Sequence, residues 1–346
     1  MNLLVTKVLD RFFKHCENVL DGTKSILVAC SGGPDSVALV YGLKNLVSSR
    51  PYRFVIGHVN HHLRGKESDL DQVFVEKLGQ AIGWEVLVQL RPMSVRDSGN
   101  LEEKTRVTRY KALNEMAEKA HCQLILTGHT LDDQVETILM NLSRGAGPDG
   151  LTGMLELRSL SSSMLLGRPL LSLEKKRLWE MLKENKISFR TDRSNKRKTF
   201  LRNWLRHELI PRWEKRCPQF KNHIANLGQI LKGEKKEWDR RTSEVLQAVS
   251  RPYQGKVVID LETLLQYSPA VQRRVLRQIW GSDLVTFGSL ERLRRWMTGP
   301  LTGGRHFQLK GGWIAERLSR SKGSPSARLF WFYNSRKEKI KNLVLV

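Results

Sequence analysis

The sequence predicts an α/β protein: a doubly wound parallel sheet, then a smaller, mainly helical C-terminal domain with a short β-rich tail. Three observations carry that prediction. Between residues 25 and 130, short runs rich in Val, Ile and Leu alternate with longer segments of helical period. Such alternation marks βαβ units around a buried parallel sheet. A glycine turn directly follows the first run, and the composition becomes strongly basic beyond about residue 186.

The first strand is Ser25–Cys30, and a helix follows from about Asp35 to Val47. Phe54–Val59 is the second strand, with a helix over Leu70–Ile82; Trp84–Val88 is the third, followed by a long loop and a helix over Leu101–Ala120. Leu124–Thr127 is the fourth strand, and another helix starts near Leu131. Ligands of such sheets bind beyond the carboxyl ends of the strands, near a topological switch point. The loops after Cys30, Val59 and Thr127 are therefore the places to look for chemistry. Residues 219–250, 269–280 and 287–297 read as helices, and Arg305–Lys310, Trp313–Arg317 and Arg328–Tyr333 as strands. Pro218 disfavours helix at Cys217, which divides the chain into 1–216, 217–300 and 301–346.

Composition narrows the class. The 346 residues include 59 Lys and Arg against 35 Asp and Glu, a formal charge of +24 that favours a polyanionic partner. Residues 186–216 hold eleven bases and three acids, +8 in 31 residues, which points to nucleic acid rather than membrane. No run approaches the roughly 18–20 apolar residues of a membrane span. The first 19 residues carry Lys7, Asp10, Arg11, Lys14 and Glu17 and lack a secretory core. Cys16, Cys30, Cys122 and Cys217 form no C-x-x-C pair, which argues against a zinc site or disulfide framework and fits a reducing compartment. A cytoplasmic protein without a membrane partner is expected; its oligomeric state is open, a homodimer included.

Ser31-Gly32-Gly33-Pro34-Asp35-Ser36 sits between the first strand and first helix. The glycines permit a tight turn that brings backbone N–H groups against an anion, and the helix N-terminus adds further donors. It is neither a Walker A loop, since no lysine follows the glycines, nor a G-x-G-x-x-G fingerprint. A carboxylate here makes sense if a divalent cation lies between Asp35 and phosphates. Downstream, Asp132, Asp133 and Glu136 follow the fourth strand, spaced to put Glu136 on the same helical face as both aspartates. A capped first turn, with Thr130 as N-cap and the acids answering the helix dipole, explains the same residues.

The S-G-G-x-D-S loop resembles that of the PP-loop ATP pyrophosphatases, which cleave ATP between its α- and β-phosphates. Four further segments narrow the resemblance: Val59-Asn-His-His-Leu-Arg64, Asn100–Tyr110, Gly128–Glu136 and Arg144–Met154. With Asp192-Arg-Ser-Asn195 and Arg202–Arg206, they resemble, in order, the motifs of the tRNA(Ile)-lysidine synthase family. The similarity spans about residues 25–300; the last 40 or so match nothing identifiable.

That resemblance implies a Rossmann-like PP-loop ATPase domain, a helical tRNA-binding domain, and a two-step reaction. ATP adenylates C2 of the wobble cytidine of tRNA(Ile) with a CAU anticodon, and free L-lysine then displaces AMP to form lysidine. Ser31, Gly32, Gly33, Pro34, Asp35 and Ser36, with His61, Arg64 and His129, are expected at ATP; Asp35 and Asp132 at Mg2+. Asp132, Asp133 and Glu136 are expected to bind the incoming lysine and take part in catalysis with Asp35 and Arg109. Arg106, Arg197, Lys198, Arg202 and Arg206 are expected at the tRNA. Two other readings stay open. A tRNA thiolase would want a persulfide or cluster-binding cysteine near the site, and a non-catalytic RNA-binding protein would be expected to have lost the acids.

Overall fold

The computed structural model describes residues 3–20, 25–46, 52–92, 101–191, 201–253, 256–281, 285–299, 306–317 and 329–334. The chain forms two compact units, Met1–Lys232 and Gly233–Val346. The first unit runs α1 (Leu3–His15), β1 (Ser25–Ala29), α2 (Pro34–Leu46), β2 (Arg53–Asn60), α3 (Lys66–Ile82), β3 (Glu85–Leu90), α4 (Leu101–Lys119), β4 (Leu124–Leu126) and α5 (Leu131–Ser143). It continues through β5 (Leu157–Ser159), β6 (Leu165–Gly167), α6 (Lys175–Glu184), α7 (Leu201–Trp204), a π-helical turn (Leu205–Leu209) and α8 (Ile210–Arg216). The unit boundary falls inside α9 (Phe220–Val249).

Six strands form one sheet in the order β3-β2-β1-β4-β6-β5, parallel except for β5. Successive residues of β1 point to opposite faces, so Ile26 and Val28 join one core with Phe12, Leu39 and Leu43. Leu27 joins the other core with Val55, Leu113 and Ile125. Both faces are thus covered, as a continuous apolar run requires. Each such side chain contributes about 1.5–3 kcal/mol by burial. The order reverses between β1 and β4, and the loops after these strands are those singled out from sequence.

β5 and β6 were not anticipated. Each has three residues, and Ser159, Ser161, Ser162 and Ser163 lie between or at the ends of their runs. That is too short for periodicity to register; pairing with β4 makes β6 a strand.

The second unit contains β7 (Ser250–Tyr253), β8 (Lys256–Asp260), α10 (Leu261–Leu265), α11 (Pro269–Trp280), α12 (Phe287–Thr298), β9 (His306–Gln308), β10 (Trp313–Arg317) and β11 (Leu329–Asn334). Its strands form one antiparallel sheet, β7-β8-β11-β10-β9. The last strand, β11, therefore pairs with β8, which precedes the helices. Ile259, Leu276, Ile279, Trp280 and Leu293 share the core of this unit. No helix among the described residues is long and apolar enough to cross a membrane.

Candidate active site

The glycine loop is held in shape mainly by its own atoms. Pro34 occupies the first turn of α2, where a missing N–H costs nothing. Gly32 has φ +83°, a left-handed conformation that L side chains rarely adopt. The Ser36 hydroxyl donates to the Gly33 carbonyl (2.9 Å) and accepts from the Ser31 N–H (3.2 Å). Neighbouring elements clamp the rest. His58 on β2 donates through Nδ1 to the Cys30 carbonyl (2.9 Å), and the Arg190 N–H donates to the Gly32 carbonyl (2.9 Å). Gly128, just past β4, lies against the loop backbone: a Cβ there would meet the Asp35 carbonyl oxygen at 2.9 Å.

A second cluster forms at the start of α5. Thr130 is its N-cap and makes a capping box with Asp133, so the capping explanation is physically present. The acids do more than cap. Glu136 is 1% exposed, and both its oxygens are taken by arginines. Arg202 Nε donates to Oε2 (2.7 Å), while Arg206 donates through Nε to Oε1 (2.6 Å) and through Nη2 to Oε2 (2.9 Å). Asp133 Oδ1 lies 3.1 Å from Lys175 Nζ, 3.3 Å from Arg202 and 3.4 Å from Arg206. Asp132 accepts the Lys175 backbone N–H (2.8 Å) and pairs with Lys221 Nζ (2.9 Å). The arginines come from the helical run 201–216, whose π turn carries Arg206. Such turns often mark functional positions.

Lys175 links the two clusters, because its Nζ also lies 3.5 Å from Asp35 Oδ2. Asp35 Oδ1 is buried with no hydrogen-bond partner. Burial pushes the Asp35 carboxyl up to about 6, against the pull of Lys175 and with a further push from Asp133. Burial also acts to raise Asp133, yet Lys175 and Arg202 hold it well below the carboxylate range. His129, whose Nδ1 lies 2.8 Å from the Thr127 hydroxyl, is lowered by burial to about 3 despite nearby Asp133, with Arg168, Arg109 and Arg202 adding to the fall. It is a neutral imidazole at physiological pH.

Two cavities meet at the loop. One, of about 180 Å3, is walled by Ala29, Gly57, Val59 and Leu113, with Arg109 and His129 on its rim. The other, of about 940 Å3, includes Arg64, Lys175, Trp179, Arg190 and Arg206. Ser31, Asp35, Ser36 and Arg109 line both. A narrow recess joined to a wider one lined by basic side chains (Arg64, Lys175, Arg190 and Arg206) suits a nucleotide whose base and phosphates need different surroundings.

The residues expected from sequence are distributed as follows. Ser31, Asp35, Ser36, Arg109 and His129 come together at the smaller cavity, while Gly33, Pro34 and Arg64 line the larger one, Arg64 paired with Asp71 at 2.5 Å; Gly32 shapes the loop without lining either. His61 donates through Nδ1 to the Arg91 carbonyl (3.3 Å), and burial lowers its pKa. Arg106 lies over the Tyr110 ring. Arg202 and Arg206 turn inward onto the acids, while Asp133, rather than Asp132, shares a cation with Asp35. Arg197, Lys198 and Asp192–Asn195 lie outside the described residues.

Sequence reasoning missed Lys175, Lys221, His58, Arg168 and Arg190. One signal pointed to Lys175: α6 opens on Lys175-Lys176-Arg177 with no acid in its first turn, which opposes the helix dipole.

The PP-loop domain family matches residues 2–213. A protein from Nostoc named tRNA(Ile)-lysidine synthase is 31% identical over 325 residues, covering 87% of this chain and 93% of that protein. Proteins of the same name from Bacillus licheniformis and Solibacter usitatus are 32% and 33% identical over 78% and 81% of this chain. The chain spans only 56% and 63% of those two longer relatives. Among solved structures, the U34-tRNA thiolase NcsA from Methanococcus maripaludis superposes with TM-score 0.51 at 17% identity. That match covers 65% of this chain and 80% of the thiolase, a likeness of fold alone.

Proposed function

The chain belongs to the PP-loop family and, within it, to the tRNA(Ile)-lysidine synthases, ATP-using enzymes of tRNA modification, and on that premise we propose how its residues divide the reaction. The substrates are ATP, free L-lysine and the wobble cytidine of tRNA(Ile) with a CAU anticodon, in a cytoplasmic setting. The cytosine carbonyl oxygen attacks the α-phosphate, pyrophosphate leaves, and the lysine amine then displaces AMP from C2. The first step needs in-line geometry and neutralised phosphate charge. The Ser31–Ser36 loop and the N-terminus of α2 hold the departing pyrophosphate, and Lys175 supplies the ammonium that the loop itself lacks.

Asp35 and Asp133 would hold Mg2+, which would supply positive charge to offset that of the phosphates. The residues fit it: Asp35 has a buried oxygen without a partner, and an ammonium already sits between Asp35 and Asp133. We therefore assign Asp133 beside Asp35 to the metal, where the resemblance implied Asp132.

The second step requires an ammonium to be seated and then deprotonated, from an ordinary pKa of about 10.4. The observation that carries this assignment is that the acids already hold ammonium groups, Lys175 at 3.1 Å from Asp133 and Lys221 at 2.9 Å from Asp132. Glu136 is occupied by two arginines and acts by fixing them, so lysine recognition falls to Asp132 and Asp133. The sulfur-insertion reading has less support. Cys30, the thiol beside the loop, is buried, and burial raises its pKa.

The test is incubation of the protein with ATP, labelled lysine and unmodified tRNA(Ile). Label is expected in the RNA, with one AMP and one pyrophosphate released per lysine. Pyrophosphate release without incorporation would defeat the lysine assignment.

A further inference from the structure

Four arginines surround Tyr110 of α4. The guanidinium carbons of Arg106, Arg109 and Arg158 lie 5.7, 5.6 and 5.6 Å from its ring centroid. Arg168, the first residue after β6, is 2% exposed and lies beside the Tyr110 hydroxyl. One of its nitrogens donates to the Leu155 carbonyl (2.7 Å). The Nε atoms of Arg158 and Arg168 are buried with no hydrogen-bond partner. None of these four arginines forms an ion pair among the described residues, whereas Arg202 and Arg206 are paired with carboxylates.

This imbalance is costly. Desolvating a guanidinium without a counter-charge costs more than a cation–π contact returns. A fold that keeps such a group of cations has a place for an anion. Its position distinguishes which anion. ATP phosphates are served by the loop after β1, while Arg168 follows β6 and Arg158 lies on β5, two and three strands away in the sheet order. Arg109 alone of the four lines the loop cavities.

We propose that Arg158 and Arg168, with Arg106 and Tyr110, form a seat for an RNA phosphodiester flanking the nucleotide to be modified. This rests on the tRNA reading above. A contact of this kind carries no sequence information but fixes register, and so sets which base reaches the α-phosphate. The half-buried Arg158 reaches the phosphate, and buried Arg168 holds the charge behind it.

The experiment measures binding of unmodified tRNA(Ile) across a salt series, and of a non-hydrolysable ATP analogue, for wild type, Arg158→Gln and Arg168→Lys. For Arg158→Gln, tRNA affinity should fall about five- to tenfold, and the slope of log affinity against log salt should shrink by roughly 0.7–0.9, one phosphate contact. Affinity for the ATP analogue should stay within about twofold. A larger loss for the analogue than for tRNA would assign the seat to the nucleotide and overturn the proposal. An unchanged tRNA affinity and slope in Arg158→Gln would overturn it too, and that variant remains informative if Arg168→Lys fails to fold. Failure of the tRNA reading looks different: wild-type protein would not put lysine into the RNA at all.

Discussion

The Ser31–Ser36 loop and the acid cluster of α5 serve one site but are built in opposite ways. The loop takes its shape from six consecutive residues, whose hydroxyls and carbonyls satisfy one another. The cluster is assembled from Asp132, Asp133 and Glu136 together with Lys175, Arg202, Arg206 and Lys221, contributed by four separate helical segments. A contiguous device survives damage to its surroundings and fails when its own side chain is lost. An assembled one fails when any member leaves a buried charge behind.

The sharpest test of that contrast is Asp35→Ala. It removes one carboxylate from a loop whose hydrogen bonds do not involve that side chain. Pyrophosphate release should fall by about 100-fold or more, the scale of losing a charge-stabilising group, while the unfolding midpoint changes little. Undiminished ATP consumption would remove Asp35 from the chemistry. Glu136→Gln should act the other way round. It replaces the charged partner of Arg202 and Arg206 by a neutral amide and leaves them Asp133 alone, a change worth about 2 kcal/mol of stability. Denaturant unfolding would show it, and a stability loss under about 1 kcal/mol would mean the arginines find water or another acid.

The smallest effect concerns pH. His58 is buried and His61 and His129 are half-buried, all three with pKa values below the ordinary 6.5, so the folded protein binds fewer protons than the unfolded chain just below that pH. Their stabilising effect is complete above pH 6.5 and is lost as the pH falls. Asp35, raised to about 6 by burial, works in the opposite direction as a single group. The unfolding midpoint should therefore drop from pH 7 to pH 5, and His58→Gln should reduce the drop. An equal drop in the variant would remove His58 from the effect.

The same contrast explains what the sequence revealed. The loop was legible residue by residue, since its chemistry lies in one short string, and so was the Thr130 cap. The four main strands and their helices were also legible, because alternating apolar runs have nowhere to go but a two-sided sheet. Lys175 was not, since nothing local says that its helix begins beside a carboxylate from β1's loop. Arg202 and Arg206 were visible as bases at helical spacing, but spacing says which face they share and not what that face meets. The pairing of β8 with β11 was hidden for a similar reason: a ladder is a property of two distant strings.

Gly128 has a consequence for anyone rebuilding this site. A methyl group at that position would have to share space with the Asp35 carbonyl, so two loops far apart in the chain are matched to each other at the backbone. Transplanting the six-residue loop into another α/β scaffold would carry over Asp35 without the surface against which the loop packs. The smallest portable unit is therefore the loop together with the bare backbone after the neighbouring strand.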